Sequence, residues 1–181
     1  MSEPGSRFNY NTAIGNLIGD LVARATGQPF YEYIQKNLFE PLGIRDVGWS
    51  DEHPDLVSSG AGLRLRPRDL LRFGQFVMQG GVWEGQQLVS FEWIEKSVRP
   101  VSYVPAGDTW YGYLWWRPNG FHPSGHDDNR PWLAGGEGGQ WLCIYPDLEV
   151  IAVTTGGNLF THDYCADWLR DYFLPAVTTD G

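Results

Sequence analysis

An α+β fold, a helical region followed by antiparallel strands and a closing helix, is predicted from three features of the sequence. Apolar residues recur at helical spacing through the first hundred positions. After Pro100 that rhythm gives way to short aromatic and β-branched runs bounded by glycine and proline. A last stretch before the C-terminal end returns to helical spacing. The 181 residues are read as one domain, 1–181, with 1–100 mainly helical and 101–181 supplying sheet strands plus the terminal helix.

Each element has a local reason. Ile14, Leu17, Ile18, Leu21, Val22 and Ala25 fall on one helix face, which the pattern predicts to be buried; Asn11 or Thr12 can cap its start and Gly27 its end. Pro29 opens a second helix with Phe30, Tyr33, Ile34 and Leu38 inward, stopped by the Glu40-Pro-Leu-Gly43 turn. A polar loop is expected from Arg45 to Arg66. Pro67 starts a third helix carrying Leu70, Leu71, Phe73, Val77 and Met78, broken at Gly80-Gly81, and Ser90 caps a short fourth helix through Val98. Tyr111 to Arg117 reads as one strand. Trp141–Tyr145 and Val150–Thr155 read as two more, joined through Pro146-Asp147. The closing helix spans Thr161 to Phe173, with Tyr164, Trp168, Leu169, Tyr172 and Phe173 at helical spacing. Three strands make a thin sheet, so an uncovered edge and face are expected.

Composition narrows the function. Hydrophobic residues at 42%, 19% charged residues, 23 glycines and 12 prolines suit a loop-rich globular chain, not a disordered tail or coiled coil. With 13 Lys+Arg against 22 Asp+Glu the net charge is −9, which repels nucleic-acid backbones and anionic membranes. No apolar run approaches the roughly 18 residues of a membrane span. The opening Met-Ser-Glu-Pro-Gly-Ser-Arg lacks the pattern of a signal peptide, so a cytoplasmic location is expected for the chain as it stands, unless an upstream part carries an export signal. Cys143 and Cys165, without C-x-x-C spacing, read as free thiols.

General searches for chemistry give little. His122 and His126 stand four apart beside Asp127 and Asp128, but Pro123 and Gly125 keep them off a helix. A solvated loop outweighs a metal site of His122, His126 and Asp128. His53 and His162 read as surface residues. No serine lies in G-x-S-x-G, and Gly135-Gly-Glu-Gly-Gly139 precedes a strand and not the helix a phosphate cradle needs. Two segments remain: Phe8-Asn-Tyr10-Asn-Thr12 at a helix start and the Ala134-to-Gln140 run. A tyrosine can serve as a base where a cation lowers its pKa, although alone it is more often a packed aromatic. A glycine-rich strand can offer N–H groups to an oxyanion, although alone it is more often a tight turn.

Both segments belong to a wider resemblance. Pro4-Gly-Ser-Arg-Phe-Asn-Tyr10 enters a helix with Gly19 and Thr26-Gly27; Phe39-Glu-Pro-Leu-Gly-Ile44, Gly60-Ala-Gly-Leu63, Pro67-Arg-Asp-Leu70, Arg72-Phe-Gly74 and Gly80-Gly81 follow. Tyr111-Gly-Tyr-Leu-Trp-Trp116 and Gly138-Gly-Gln140 before Pro146 complete the series. In this order and spacing the chain resembles the C-terminal portion of the serine β-lactamase and penicillin-binding-protein-like hydrolases, nearest to class C β-lactamases, esterases and aminohexanoate-oligomer hydrolases. The resemblance implies the β-lactamase-like α+β fold without its N-terminal strands and nucleophile helix.

That family uses an S-x-x-K nucleophile pair, a Tyr-x-Asn triplet, and a K-T-G or H-x-G strand that completes the oxyanion hole. By resemblance Tyr10 is the catalytic tyrosine and Thr12 replaces the asparagine as a substrate contact. Gly135, Gly136 and Glu137 are the substrate-binding backbone. Ala134 stands where the third motif has its cation; losing a charge-assisted bond of about 1.5–3 kcal/mol argues against carboxylate substrates of the penicillin kind. S-x-x-K is absent, because Lys36 and Lys96 are preceded at three residues by Tyr33 and Trp93.

The expectation is therefore a serine-dependent hydrolase of a small ester or amide, present as a C-terminal portion that is inactive by itself. No metal or organic cofactor is implied. A complementary N-terminal polypeptide or self-association is expected to cover the open surface. The competing reading is a non-catalytic binding or regulatory module that keeps the fold.

Overall fold

Asn11, in extended conformation, accepts a hydrogen bond from the Ala13 N–H at 2.9 Å and starts helix α1 (Thr12–Thr26); Gly27, left-handed at φ 68°, ends it. The computed structural model describes residues 3, 5–49, 59–121, 130–159 and 164–178. Helix α2 (Phe30–Ile34) follows Pro29 and runs on as a π-helical turn over Gln35–Phe39. In place of a plain polar loop, strands β1 (Gly48–Trp49) and β2 (Leu63–Arg64) pair antiparallel. Helix α3 (Pro67–Met78) leads to a small hairpin, β3 (Val82–Trp83) with β4 (Gln86–Gln87), that the sequence did not announce. Ser90 Oγ then accepts from the Trp93 N–H at 3.2 Å to cap α4 (Phe91–Ser97).

The main sheet has six strands where three were expected: β5 (Ser102–Val104), β6 (Thr109–Gly112), β7 (Trp115–Pro118), β8 (Trp132–Gly136), β9 (Gln140–Tyr145) and β10 (Val150–Thr154). All pair antiparallel, in the order β10-β9-β8-β7-β6-β5. The single strand expected over 111–117 is a hairpin. Tyr113 and Leu114 both take positive φ, 48° and 75°, and bring Gly112 opposite Trp115. Such corners usually carry glycine or asparagine, so two bulky residues there leave no turn signal and the aromatic run reads straight through.

Both sheet faces are covered, contrary to the expected bare face. Leu142 and Ile144 pack toward Phe76 and Val77 of α3 and Ile94 of α4. Helix α3 lies close because Gly74 has no Cβ, which would sit 2.8 Å from Leu142 Cδ1. The alternate residues Leu133, Cys143, Tyr145 and Ala152 meet Leu169 and Leu174 from the closing segment: α5 (Tyr164–Trp168), a π-helical turn Leu169–Phe173, and α6 (Leu174–Thr178). Asp69, only 1% exposed, is held by Arg66 Nε and Arg72 Nη1, each at 2.8 Å. Arg72 also donates to Gly43 O at 3.2 Å, which ties α3 to the turn after the second helix. Cys143 and Cys165 are not joined in a disulfide. Among the described residues no helix is long and apolar enough to cross a membrane.

Helix α1 departs most from its sequence reading. Ile14, Leu17 and Leu21 are exposed at 53%, 62% and 63%, and the buried residues are Gly15 and Gly19. The segment Ser59–Gly60 explains this, because it meets the helix at backbone distance. Ser59 Oγ donates to Gly15 O at 2.6 Å and accepts from the Gly19 N–H at 3.1 Å, while the Gly60 N–H donates to Asn16 Oδ1 at 3.0 Å. A Cβ on Gly15 would lie 2.5 Å from Gly60 Cα. Gly→Ala in an open helix interior gains up to about 1 kcal/mol. Here the added methyl meets backbone, and overpacking costs about 1–3 kcal/mol. Gly15→Ala should therefore lower the urea midpoint; a midpoint at or above the parent's would show that the 59–60 segment does not press on α1.

Candidate functional site

Tyr10 precedes the Asn11 cap, so the chain turning into α1 carries its ring away from the helix. That ring stacks on Trp116 with centroids 5.7 Å apart and planes at 24°, and meets Tyr111 edge-on at 5.9 Å. Tyr111 and Trp116 are partners in the β6–β7 ladder, 4.4 Å apart. Phe8 adds edge contacts to both, at 5.3 and 6.2 Å. Four rings thus join the entry of α1 to the sheet, beyond the area they bury.

A cleft of ≈ 240 Å³ opens beside these rings. Tyr10 and Thr12 line it from the start of α1, Ser59 and Gly60 from the glycine contact, and Ala134 and Gly135 from β8. The two segments that the sequence singled out meet here. Asn11, between Tyr10 and Thr12, is occupied in capping α1. Tyr10 is half exposed, and its hydroxyl makes no hydrogen bond among the described residues.

Gly136 and Glu137 come next along the chain but do not line the cleft; both are exposed where β8 turns into β9. The glycine-rich run divides into two parts. Gly135 and Gly136 belong to β8, and Gly138 and Gly139, at φ 86° and 88°, make the turn. Gln140 Nε2 donates to Gly156 O at 2.5 Å and Thr154 Oγ1 to Gly139 O at 3.0 Å, which pins that turn. Glycine at 135 has a packing reason as well. A Cβ there would fall 2.4 Å from the ring of Trp141, its cross-strand partner.

Tyr111, Trp116, Ser59 and Gly60 were not read as site residues, although Gly60 and the Tyr111–Trp116 run carry part of the family resemblance. The two aromatics read as strand residues of no stated direction, since the hairpin that turns them to the cleft was not visible. Burial first, and the neighbouring Tyr10 second, push the Tyr111 phenol up to about 12, so it stays neutral and protonated near neutral pH. His122, His126 and Asp128 lie outside the described residues, as do His53 and His162. Among the described residues no group of three or more His, Cys, Asp or Glu could hold a metal ion.

The family model described as Beta-lactamase matches residues 1–170. Over 134 residues the chain is 26% identical to the 6-aminohexanoate-dimer hydrolase of Paenarthrobacter ureafaciens, a match covering 74% of this chain and 32% of that protein. Over 52 residues it is 38% identical to esterase EstB of Burkholderia gladioli, covering 29% of this chain and 13% of the esterase. The octameric penicillin-binding protein homologue from Pyrococcus abyssi shares the fold, with a TM-score of 0.75 at 20% identity over 98% of this chain and 44% of that one. The chain therefore spans about a third of the first relative's length and less than half of that structure's.

The Tyr111 phenol tests the packing of the ring wall. Its folded pKa, about 12, lies above the roughly 10 of an unfolded tyrosine, so the unfolded chain releases this proton first. The stability this group contributes is complete below about pH 10 and is lost as pH rises toward 12. Unfolding midpoints measured between pH 9 and 12 should fall, and fall less steeply in Tyr111→Phe. The same slope in both proteins would place this phenol in water and out of the wall.

Proposed function

Because the chain belongs to the Beta-lactamase family, we propose that it supplies the tyrosine side and the backbone wall of a serine hydrolase site for a small ester or amide. One observation carries this reading: Tyr10-x-Thr12 and the Ala134–Gly135 stretch of β8, from opposite ends of the chain, line one cleft. The 6-aminohexanoate-dimer hydrolase and the esterase among its relatives agree with hydrolysis as the reaction class.

Tyr10 is the base-side group and Thr12 contacts substrate or the lysine. Gly135, on the part of β8 that lines the cleft, presents backbone to the scissile carbonyl, while Gly136 and Glu137, next along the chain, are assigned to that wall by the family resemblance alone. The serine and lysine come from residues other than these 181, since S-x-x-K occurs nowhere in them. In the complete site the serine oxygen attacks the carbonyl carbon, and its proton passes to the lysine–tyrosine pair and on to the leaving group. Water then takes the acyl group from the serine and regenerates the hydroxyl. Neither a metal nor an organic cofactor enters this scheme.

Surface beside the cleft supports a complementary polypeptide. A second, apolar cleft of ≈ 390 Å³ lies between Ile18 of α1, Leu38, Phe73 of α3, Trp93 of α4 and the Tyr113–Leu114 corner. Leu114 lines both cavities, so the two adjoin. Covering the apolar lining of the second gains about 25 cal/mol per Å² in gross transfer terms, before ordering costs. Self-association would cover the same surface. The missing nucleophile pair favours one other reading, a non-catalytic binding module.

The chain alone should give no burst with a short-chain nitrophenyl ester and no label with a fluorophosphonate probe. Supplied with a polypeptide that carries S-x-x-K, it should be labelled on that serine, and Tyr10→Phe should then lower kcat about 10²–10⁴-fold with KM little changed. Labelling of a serine in this chain alone, or full turnover by Tyr10→Phe, would remove the assignment. Light scattering at tens of micromolar should show association of the isolated chain. A monodisperse monomer there would favour the binding module.

A further inference from the structure

Among the described residues, no lysine, arginine, histidine, aspartate or glutamate lines the cleft beside Tyr10. Its polar groups are amides, hydroxyls and two phenols, and several are already engaged. Ser59 is bonded to Gly15 and Gly19, Asn11 to the Ala13 N–H, and Tyr111 stays protonated to about pH 12. The remainder is apolar. Phe8, Tyr111 and Trp116 form a wall of rings, flanked by Ile14 and Leu114. Ala134 presents only a methyl group on the β8 side.

A carboxylate entering such a site would shed water and meet no cation among the described residues, at a cost that neutral hydroxyls and amides offset in part. The chain's net charge of −9 adds long-range repulsion. An uncharged flat or branched apolar group meets the opposite situation, because offset and edge-on ring contacts reward its burial. A cation could lie over ring faces, but Tyr10 and Trp116 stack on each other and so each covers one face of its neighbour.

We propose that this cleft seats the uncharged, apolar part of a neutral ester or amide against Trp116, Tyr111 and Phe8, and discriminates against carboxylate-bearing ligands. This selectivity rests on reading the cleft as the substrate site, and it makes Trp116 a specificity-determining residue.

Binding can be measured without turnover, by ligand-observed NMR on the intact chain with 3-phenylpropanamide, 3-phenylpropanoate and 3-phenylpropylammonium. The amide should bind at least tenfold more tightly than the carboxylate and no more weakly than the cation. Trp116→Ala should lose at least tenfold in amide affinity. Ile14→Lys, at an exposed position on the cleft lining, should raise carboxylate affinity and narrow the gap, independently of how Trp116→Ala folds. A carboxylate or cation that binds tighter than the amide, an amide that does not bind, or an Ile14→Lys protein with unchanged preference would each overturn the proposal. Its failure leaves hydrolysis standing if the complemented enzyme still depends on Tyr10. Conversely, the binding order can hold in a protein whose complemented form turns nothing over.

Discussion

The approach of Gly60 to Gly15, close enough that a Cβ on either residue would collide with backbone, is the constraint on which the site depends. It brings the 59–60 segment against α1 and lets Ser59 bond two backbone groups of that helix. With the glycine face turned inward, the apolar stripe of α1 has to face out. The same rotation sets the direction in which the chain leaves the helix start, and hence where Tyr10 can reach. Side chains at 15 or 60 would separate helix and segment and widen the cleft between them.

The sheet supplies the other wall, and its rigidity comes from cover on both faces. Helix α3 presses on β9 and β10 through Gly74, and the closing segment fills the opposite face with Leu169 and Leu174. Asp69 shows the same economy in polar form: a buried carboxylate keeps both oxygens bonded to arginines, one of which also fixes the turn at Gly43. Unpaired, that carboxylate would carry a heavy desolvation cost. Held this way, β6 to β8 present Tyr111, Trp116, Ala134 and Gly135 as fixed surface.

What the cleft can recognise follows from what it lacks as much as from what it holds. Among the described residues, rings, hydroxyls and bare strand backbone give shape and a few hydrogen bonds but no countercharge. Family members share the fold, and in the proposed reading the residue type at position 134 and the rings at 111 and 116 are where this chain would set its own preference. The apolar ground from Ile18 to Trp93 adjoins the cleft through Leu114, which lines both.

Elements governed by nearest neighbours were legible in the sequence. Asn11 and Gly27 bound α1, Pro67 opens α3, Ser90 caps α4, and the runs at 141–145 and 150–154 are strands, because caps, proline geometry and β-branching act within a few residues. Tyr10-x-Thr12 and the Ala134–Gly136 run were also visible, as motifs of the family resemblance whose order along the chain carries information. Which face of α1 is buried was not visible, since the hydrophobic pattern favours Ile14 and Leu17 whereas a segment more than forty residues away packs on glycine. The corner at Tyr113–Leu114 was hidden too, because its left-handed residues are held by the ladder of β6 and β7 and not by their own preference. Only the tertiary structure decided that Tyr111 and Trp116 face Tyr10 across one cleft. Direction and proximity are set by contacts between distant segments, and no local propensity encodes them.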